Sequence, residues 1–231
     1  MPSFKTRFAS RCLPLAAALL LSACASAKVI QTTYRDLPHD ALWRMLWVTP
    51  QPPDYVRPER RLDTFHDYEQ LLADGQLFSG DRAKTESYAY FGSDVHAVAD
   101  GPVVAVLDGL PEQVPGVDPK GLTLAQYGGN HVVQDIGNGN YAFYAHLKTG
   151  TVKVKPGDRL STGQVLGSVG NTGNSTAPHL HFHVMSTPDP LRADGLPFVF
   201  RSFKLTGRMA NMAAVDALEA GGPARMQPGF T

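Results

Sequence analysis

Between Tyr88 and Met185 the hydrophobic and polar positions of this chain alternate, and they do not recur at helical spacing. Alternation over four to eight residues marks a half-buried strand, because successive side chains point to opposite faces. Strands are expected around Asp94–Val98 and Pro102–Leu107, joined through the turn Asp100-Gly101. NHVVQDIGNGNYAFYAHL reads as a hairpin with Gly137-Asn138-Gly139 at its tip, and Pro156-Gly157-Asp158 and Gly163 divide residues 151–169 into two more strands. The sharpest alternation closes the run, in NTGNSTAPHLHFHVM, where a Gly/Asn/Pro loop leads into a strand. An antiparallel all-β barrel or sandwich is the economical architecture for such a run.

The flanks read differently. Ala41–Val48, with Trp43 and Trp47, predicts a short strand or helix packed on the edge of the domain, and Pro50–Pro58 an extended connector. Residues 109–130 are rich in Gly and Pro and predict a long loop. Good helix formers follow one another only over Met209–Ala220, before a polar tail, and this end is expected to be peripheral.

Composition narrows the class. The chain has 231 residues, 43% of them hydrophobic, with 18 Pro and 22 Gly, which suits one modest domain with many turns plus tails. Lys5, Arg7 and Arg11 lie in a leader without acids, so three of the 21 bases fall there and the remainder is weakly acidic against 21 acids. Nothing in that balance suggests a nucleic-acid binder. Residues 1–27 have the form of an export signal: a basic start, the apolar run Leu13–Leu21, then small residues. Leu21-Ser22-Ala23-Cys24 resembles the bacterial lipobox, in which the Cys is acylated, while Ala25-Ser26-Ala27 offers plain cleavage as the rival reading. With at most Cys24 left after processing, no internal disulfide is expected.

Candidate chemistry sits in the last strand. His179, His181 and His183 share one face, with Leu180, Phe182 and Val184 on the other. At roughly 6.6 Å between positions i and i+2, these imidazoles are expected to be too far apart to bond each other but close enough to act on one ligand. A solvated strand face accounts for a single His; three on one face behind a tight loop point to chemistry. His146 ends the YAFYAHL strand as a further candidate, whereas His96 and His131 read as ordinary surface positions. Earlier in the chain Asp63, His66 and Asp67 cluster before an apolar pair.

Together YAHL, GDRLSTGQVLGSVGNTGNSTAPHLHF and AVADGPVV resemble the LytM and lysostaphin type of zinc metallopeptidase, over roughly residues 61–205. Many of these enzymes cut the peptide part of bacterial peptidoglycan. The resemblance implies a β-rich, barrel-like domain with a groove floored by the main sheet, bounded by the leader 1–27, an extension 28–60 and a tail 206–231. It implies that His181 ligates zinc and that His146 and His179 act on the attacking water and the developing oxyanion, with His183 in support. A zinc with three protein ligands keeps a position open for water and lowers its pKa to about 7, and neutral imidazoles can then move its proton. The family's first metal motif is His, three residues, Asp. Here Asp67 matches the Asp, but Asp63 stands where the His belongs. Asp63 as an oxygen ligand would suit harder metals, and His66 could replace it only through a bulge.

Two functions follow from the resemblance. One is an envelope zinc endopeptidase acting on peptidoglycan peptides, lipid-anchored through Cys24 on the periplasmic side and expected at the outer membrane. The other is a metal-free module that binds cell-wall peptides or activates a wall hydrolase, with a cell-wall amidase or divisome-type partner. A third reading, from the likeness of GDRLSTGQVLG to lipoyl and biotinyl carrier hairpins, needs a Lys at an exposed tip, while Lys153 and Lys155 lie inside the strand pattern.

Overall fold

The computed structural model describes residues 31–32, 42–46, 66–196, 198–200, 207–209 and 211–228. The leader with Cys24, the Pro-rich run and Asp63 lie outside them. The strands in chain order are β1 (Gln31–Thr32), β2 (Leu42–Leu46), β3 (His66–Leu71), β4 (Asp94–His96) and β5 (Gly101–Leu107). They continue with β6 (Asn130–Gly137), β7 (Asn140–Leu147), β8 (Arg159–Leu160), β9 (Val165–Ser168) and β10 (Leu180–Met185). After these come β11 (Gly195–Leu196), β12 (Val199–Phe200), β13 (Gly207–Met209), helix α1 (Met212–Glu219) and β14 (Met226–Pro228).

One eight-stranded sheet organises the domain, in the order β2-β3-β10-β7-β6-β5-β8 with β11 also on β10. Its named pairings are antiparallel. Among the described residues its two ends do not pair with each other, so the architecture there is an open, sandwich-like antiparallel sheet with a smaller β4–β9 sheet, and not a closed barrel. The β6–β7 hairpin forms as its sequence predicts, with Gly137, Asn138 and Gly139 all at positive φ. The apolar patch around Trp43 is the strand β2, on the sheet edge beside β3.

The expected pairing of residues 94–98 with 102–107 is corrected: β4 pairs with β9, and β5 pairs with β6 and β8. The turn at Asp100-Gly101 instead carries the chain from one sheet to the other. A buried polar network ties that crossover to the main sheet. The Tyr144 hydroxyl donates to Gln134 Oε1 at 2.9 Å and accepts from the Val98 amide, while Gln134 Nε2 donates to the Ala99 carbonyl.

Alternation gives the sheet two distinct faces. Val132, Ala142, Tyr144, Leu180, Phe182 and Val184 are buried on one, with Phe198 edge-on against Phe182. The other face carries Val133, Phe143, Ala145 and Met185 as a compact apolar patch. In register, His181 and His183 stand opposite Ala145 and Phe143 and therefore share that second face. Residues 109–129 form the expected long loop, with one short 3₁₀ turn at Leu124–Gln126. Helix α1 starts at Asn211, whose side chain accepts from the Ala214 amide, and buries Val215 and Leu218.

Candidate functional site

The second face of the sheet becomes a polar site where β3, β10 and β7 meet. Asp67 and His181 are direct partners across the β3–β10 pair, so the ladder itself brings the carboxylate to the imidazole. His181 Nδ1–H donates to Asp67 Oδ1 at 2.9 Å, and His179 Nε2 lies 3.6 Å from the same oxygen. His66 stands one register position away, opposite Phe182. One ring nitrogen from each of His146, His179 and His181 lies within 4.8 Å of the other two.

His146 reaches this cluster by breaking the alternation of its strand. Ala145 is paired with His181 on the site face, so a regular strand would turn residue 146 toward Tyr144 and Phe182. Instead β7 bulges: between the pairs Asn130–Leu147 and Val132–Tyr144, His131 alone opposes two residues, Ala145 and His146. His146 takes φ of 57° there, in the left-handed region that a residue with a Cβ seldom occupies. Its amide donates to the Gly128 carbonyl and its own carbonyl accepts from Gly170. The ring is buried against His179, with centroids 4.6 Å apart.

Two loops make that geometry possible. The 128–130 turn and the 171–174 loop approach so closely that a Cβ on Gly129 would overlap the Thr172 carbonyl, and one on Gly173 would overlap the Gly129 backbone. Both glycines also have positive φ, 61° and 73°. Thr172 is thereby fixed: its hydroxyl donates to Leu147 and accepts from the Asn130 amide, and its carbonyl accepts Nδ1–H of His146 at 2.7 Å. His179 is held similarly, with Nδ1–H donated to the Ala177 carbonyl at 2.8 Å and the buried Ser175 hydroxyl alongside.

Because a carbonyl only accepts, His146 and His179 each carry a proton on Nδ1, which leaves Nε2 of each ring on the side away from that carbonyl. Burial, then the neighbouring His179 and His181, push the His146 pKa well below its ordinary value, so the ring stays neutral. Burial and then His181 push His183 down to about 3. For Asp67 burial works to raise the pKa, but the His181 hydrogen bond and the surrounding imidazoles outweigh it and hold the carboxyl well below the usual carboxylate range. A carboxylate and several imidazoles within reach of one another form a donor set that fits zinc, so the residues present suit that cation.

Two sequence expectations about these side chains are corrected. His181 and His183 do bond each other, Nε2 to Nδ1 at 3.0 Å, because ring atoms reach well beyond the Cα spacing and the two planes stand nearly perpendicular. His131 is not an ordinary outer residue. It lies half-buried on the site face, with Phe143 between it and His183 at ring separations of 5.2 and 5.1 Å. His96 does lie apart, in the β4–β9 sheet, donating Nδ1–H to the Gly163 carbonyl. The Thr172 and Ala177 carbonyls, which set the protons of His146 and His179, carry no side-chain signal; the nearest signal was the loop glycines.

Residues 86–193 match the model of Peptidase family M23. The glycyl-glycine endopeptidase ALE-1 of Staphylococcus capitis is 33% identical over 124 residues, 52% of this chain and 29% of that protein. The peptidoglycan DD-endopeptidase ShyA of Vibrio cholerae is 42% identical over 67 residues, 29% of this chain and 15% of its own length. Among solved structures, the catalytic domain of lysostaphin from Staphylococcus simulans is 25% identical, covering 54% of this chain and 86% of that one, with a TM-score of 0.34. The matched stretches thus span less than a third of either of these two curated relatives. Residues 86–193, just under half of the chain, are thus similar to Peptidase family M23.

Proposed function

We propose that this domain is a zinc-dependent endopeptidase that hydrolyses peptide bonds of bacterial peptidoglycan. The observation that carries the reading is the convergence of His146, His179 and His181 within 4.8 Å, beside an ionised Asp67, on one face of the sheet. Asp67 and His181, with Asp63 as the third donor, would hold zinc, which when bound supplies a Lewis acid and lowers the pKa of a water to about 7. His146 and His179 are the catalytic pair. Each presents Nε2 on the side of its ring away from a backbone carbonyl. One can take a proton from the attacking water and return it to the leaving amine, while the other, once protonated, donates to the developing oxyanion. Phe143, edge-on to the His181 ring with centroids 6.1 Å apart, borders the site on its apolar side.

The curated relatives named above are peptidoglycan or glycyl-glycine endopeptidases, which supports the substrate class. The same reading puts the protein at the cell envelope, exported by residues 1–27 and held by a lipid on Cys24. Incubating the purified chain with purified peptidoglycan, with and without a chelator, tests the proposal. Release of peptide fragments that stops with chelator and returns with zinc is expected. Cell-wall binding without any hydrolysis would overturn it in favour of a metal-free module.

A further inference from the structure

Asn171 is the first residue of the loop that carries Thr172 and Ser175, and it is fully buried. Its backbone carbonyl accepts from the Gln113 amide at 2.8 Å, its Nδ2 donates to the Gln113 carbonyl at 2.9 Å, and its Oδ1 accepts from the Ser175 hydroxyl at 2.6 Å. Its remaining polar group, the backbone amide, donates to Glu112 Oε2 at 2.6 Å. The other oxygen of that carboxylate, Oε1, accepts from the Thr149 amide at 2.8 Å, two residues past the end of β7. Glu112 and Thr172 also face each other in an isolated antiparallel bridge. One half-buried side chain on a distant loop therefore joins the strand end that follows His146 to the loop whose Thr172 carbonyl holds the His146 ring. Two oxygens on one rigid group suit this task, because each can take an amide from a different segment, and bonds to an ionised acceptor are roughly twice as strong as neutral ones.

We propose that Glu112 is a positioning residue for the catalytic pair: its carboxylate clasps the end of β7 to the 171–175 loop and so fixes where the rings of His146 and His179 stand relative to each other. Both rings depend on that loop. Thr172 holds His146, and the Ser175 hydroxyl, itself bonded to Asn171, lies 3.2 Å from Nδ1 of His179. His146 also occupies a left-handed backbone conformation, which persists only where the surrounding structure holds it from both sides. Glu112 acts through backbone amides, so its effect on the reaction is one of geometry. Asp108 supplies the comparison within the same region. Its Oδ1 accepts from the Gly150 amide at 2.9 Å and anchors the start of the loop to the turn after β7, whereas the bond to Asn171 belongs to Glu112.

The inference rests on the hydrolytic reading above, and its test keeps the two apart. Turnover of soluble cross-linked peptidoglycan fragments by the zinc-supplemented full chain is measured for the native protein, Glu112→Ala, Glu112→Gln and Asp108→Ala. Gln keeps the shape of the side chain but offers one acceptor where the carboxylate offers two, so it carries the comparison should Glu112→Ala fail to fold. The expected result is a kcat lower by about 10- to 100-fold for Ala and by a smaller factor for Gln, with KM within about threefold of native. Asp108→Ala should stay near native in both constants. Native kcat in both Glu112 variants, a loss confined to KM, or an equal loss in Asp108→Ala would overturn the role of Glu112 while leaving the hydrolase standing. A native chain that cleaves nothing would overturn the functional reading, and ring ¹H–¹³C spectra then decide on the clasp alone. Resonances of His146 and His179 that shift in Glu112→Gln but not in Asp108→Ala support it, and unmoved resonances refute it.

Discussion

Placing alanine and glycine in turn at position 146, and again at position 145, isolates the backbone distortion that aims His146 into the site. Both residues are buried on β7 and adjacent, but only His146 has positive φ. At Ala145, a regular strand position, replacement by glycine loses a buried methyl and adds unfolded-state freedom, costing on the order of 1 kcal/mol. At position 146 the same two contributions enter the comparison of His146→Ala with His146→Gly, but alanine also retains the left-handed penalty of about 1–2 kcal/mol. The lost imidazole and the unpaired Thr172 carbonyl are common to both variants and cancel. The glycine-versus-alanine difference at 146 should therefore be shifted toward glycine by about 1–2 kcal/mol relative to 145. Urea denaturation of the four proteins, native included, reads this directly. Hydrolysis of peptidoglycan should meanwhile fall by 10²-fold or more in both variants at 146. An equal preference for alanine at the two positions would refute the idea that a strained bulge positions the ring.

Other consequences are as direct. His146 and His183 are held neutral with folded pKa values below their unfolded ones, so below pH 6.5 the unfolded chain binds protons that the folded chain refuses. Stability is thus fully present above pH 6.5 and falls as pH drops, by about 2.7 kcal/mol per unit for the two together, until the folded values are reached. The lowered carboxyl of Asp67 adds its own loss only below about pH 4, by the same linkage. Denaturation of the chelator-treated protein at pH 7, 6 and 5 checks this, and a flat profile contradicts it. Gly129→Ala should cost at least about 2 kcal/mol and abolish hydrolysis, since the new methyl would overlap the Thr172 carbonyl that holds His146.

Much of the site was legible in sequence because β10 obeys strict alternation: the order His179, Leu180, His181, Phe182, His183 is enough to put imidazoles over one face and apolar side chains under the other. The pairing of Asp67 with His181 was reachable only through family resemblance, since the two lie 114 residues apart. The orientation of His146 was not legible. It depends on a bulge created by the opposing strand, and alternation alone would have sent the ring to the wrong face. Gly128 and Gly129, just before that strand, were the available hint. The misplaced β4–β5 hairpin has a related cause, because a turn signal such as Asp100-Gly101 fixes a change of direction but not the partner, and β4 finds its partner some 70 residues later in β9. An open sheet and a closed barrel likewise share one strand pattern; only the pairing of the end strands separates them.

On the proposed reading, Asp67 and His181 hold one cation beside His146 and His179. Metal content of the purified chain, determined by elemental analysis for the native protein and for His181→Ala and Asp67→Asn, tests it most directly. Close to one zinc per native chain and little in either variant is the expected result. Native protein without zinc, or variants that keep the full complement, would contradict it.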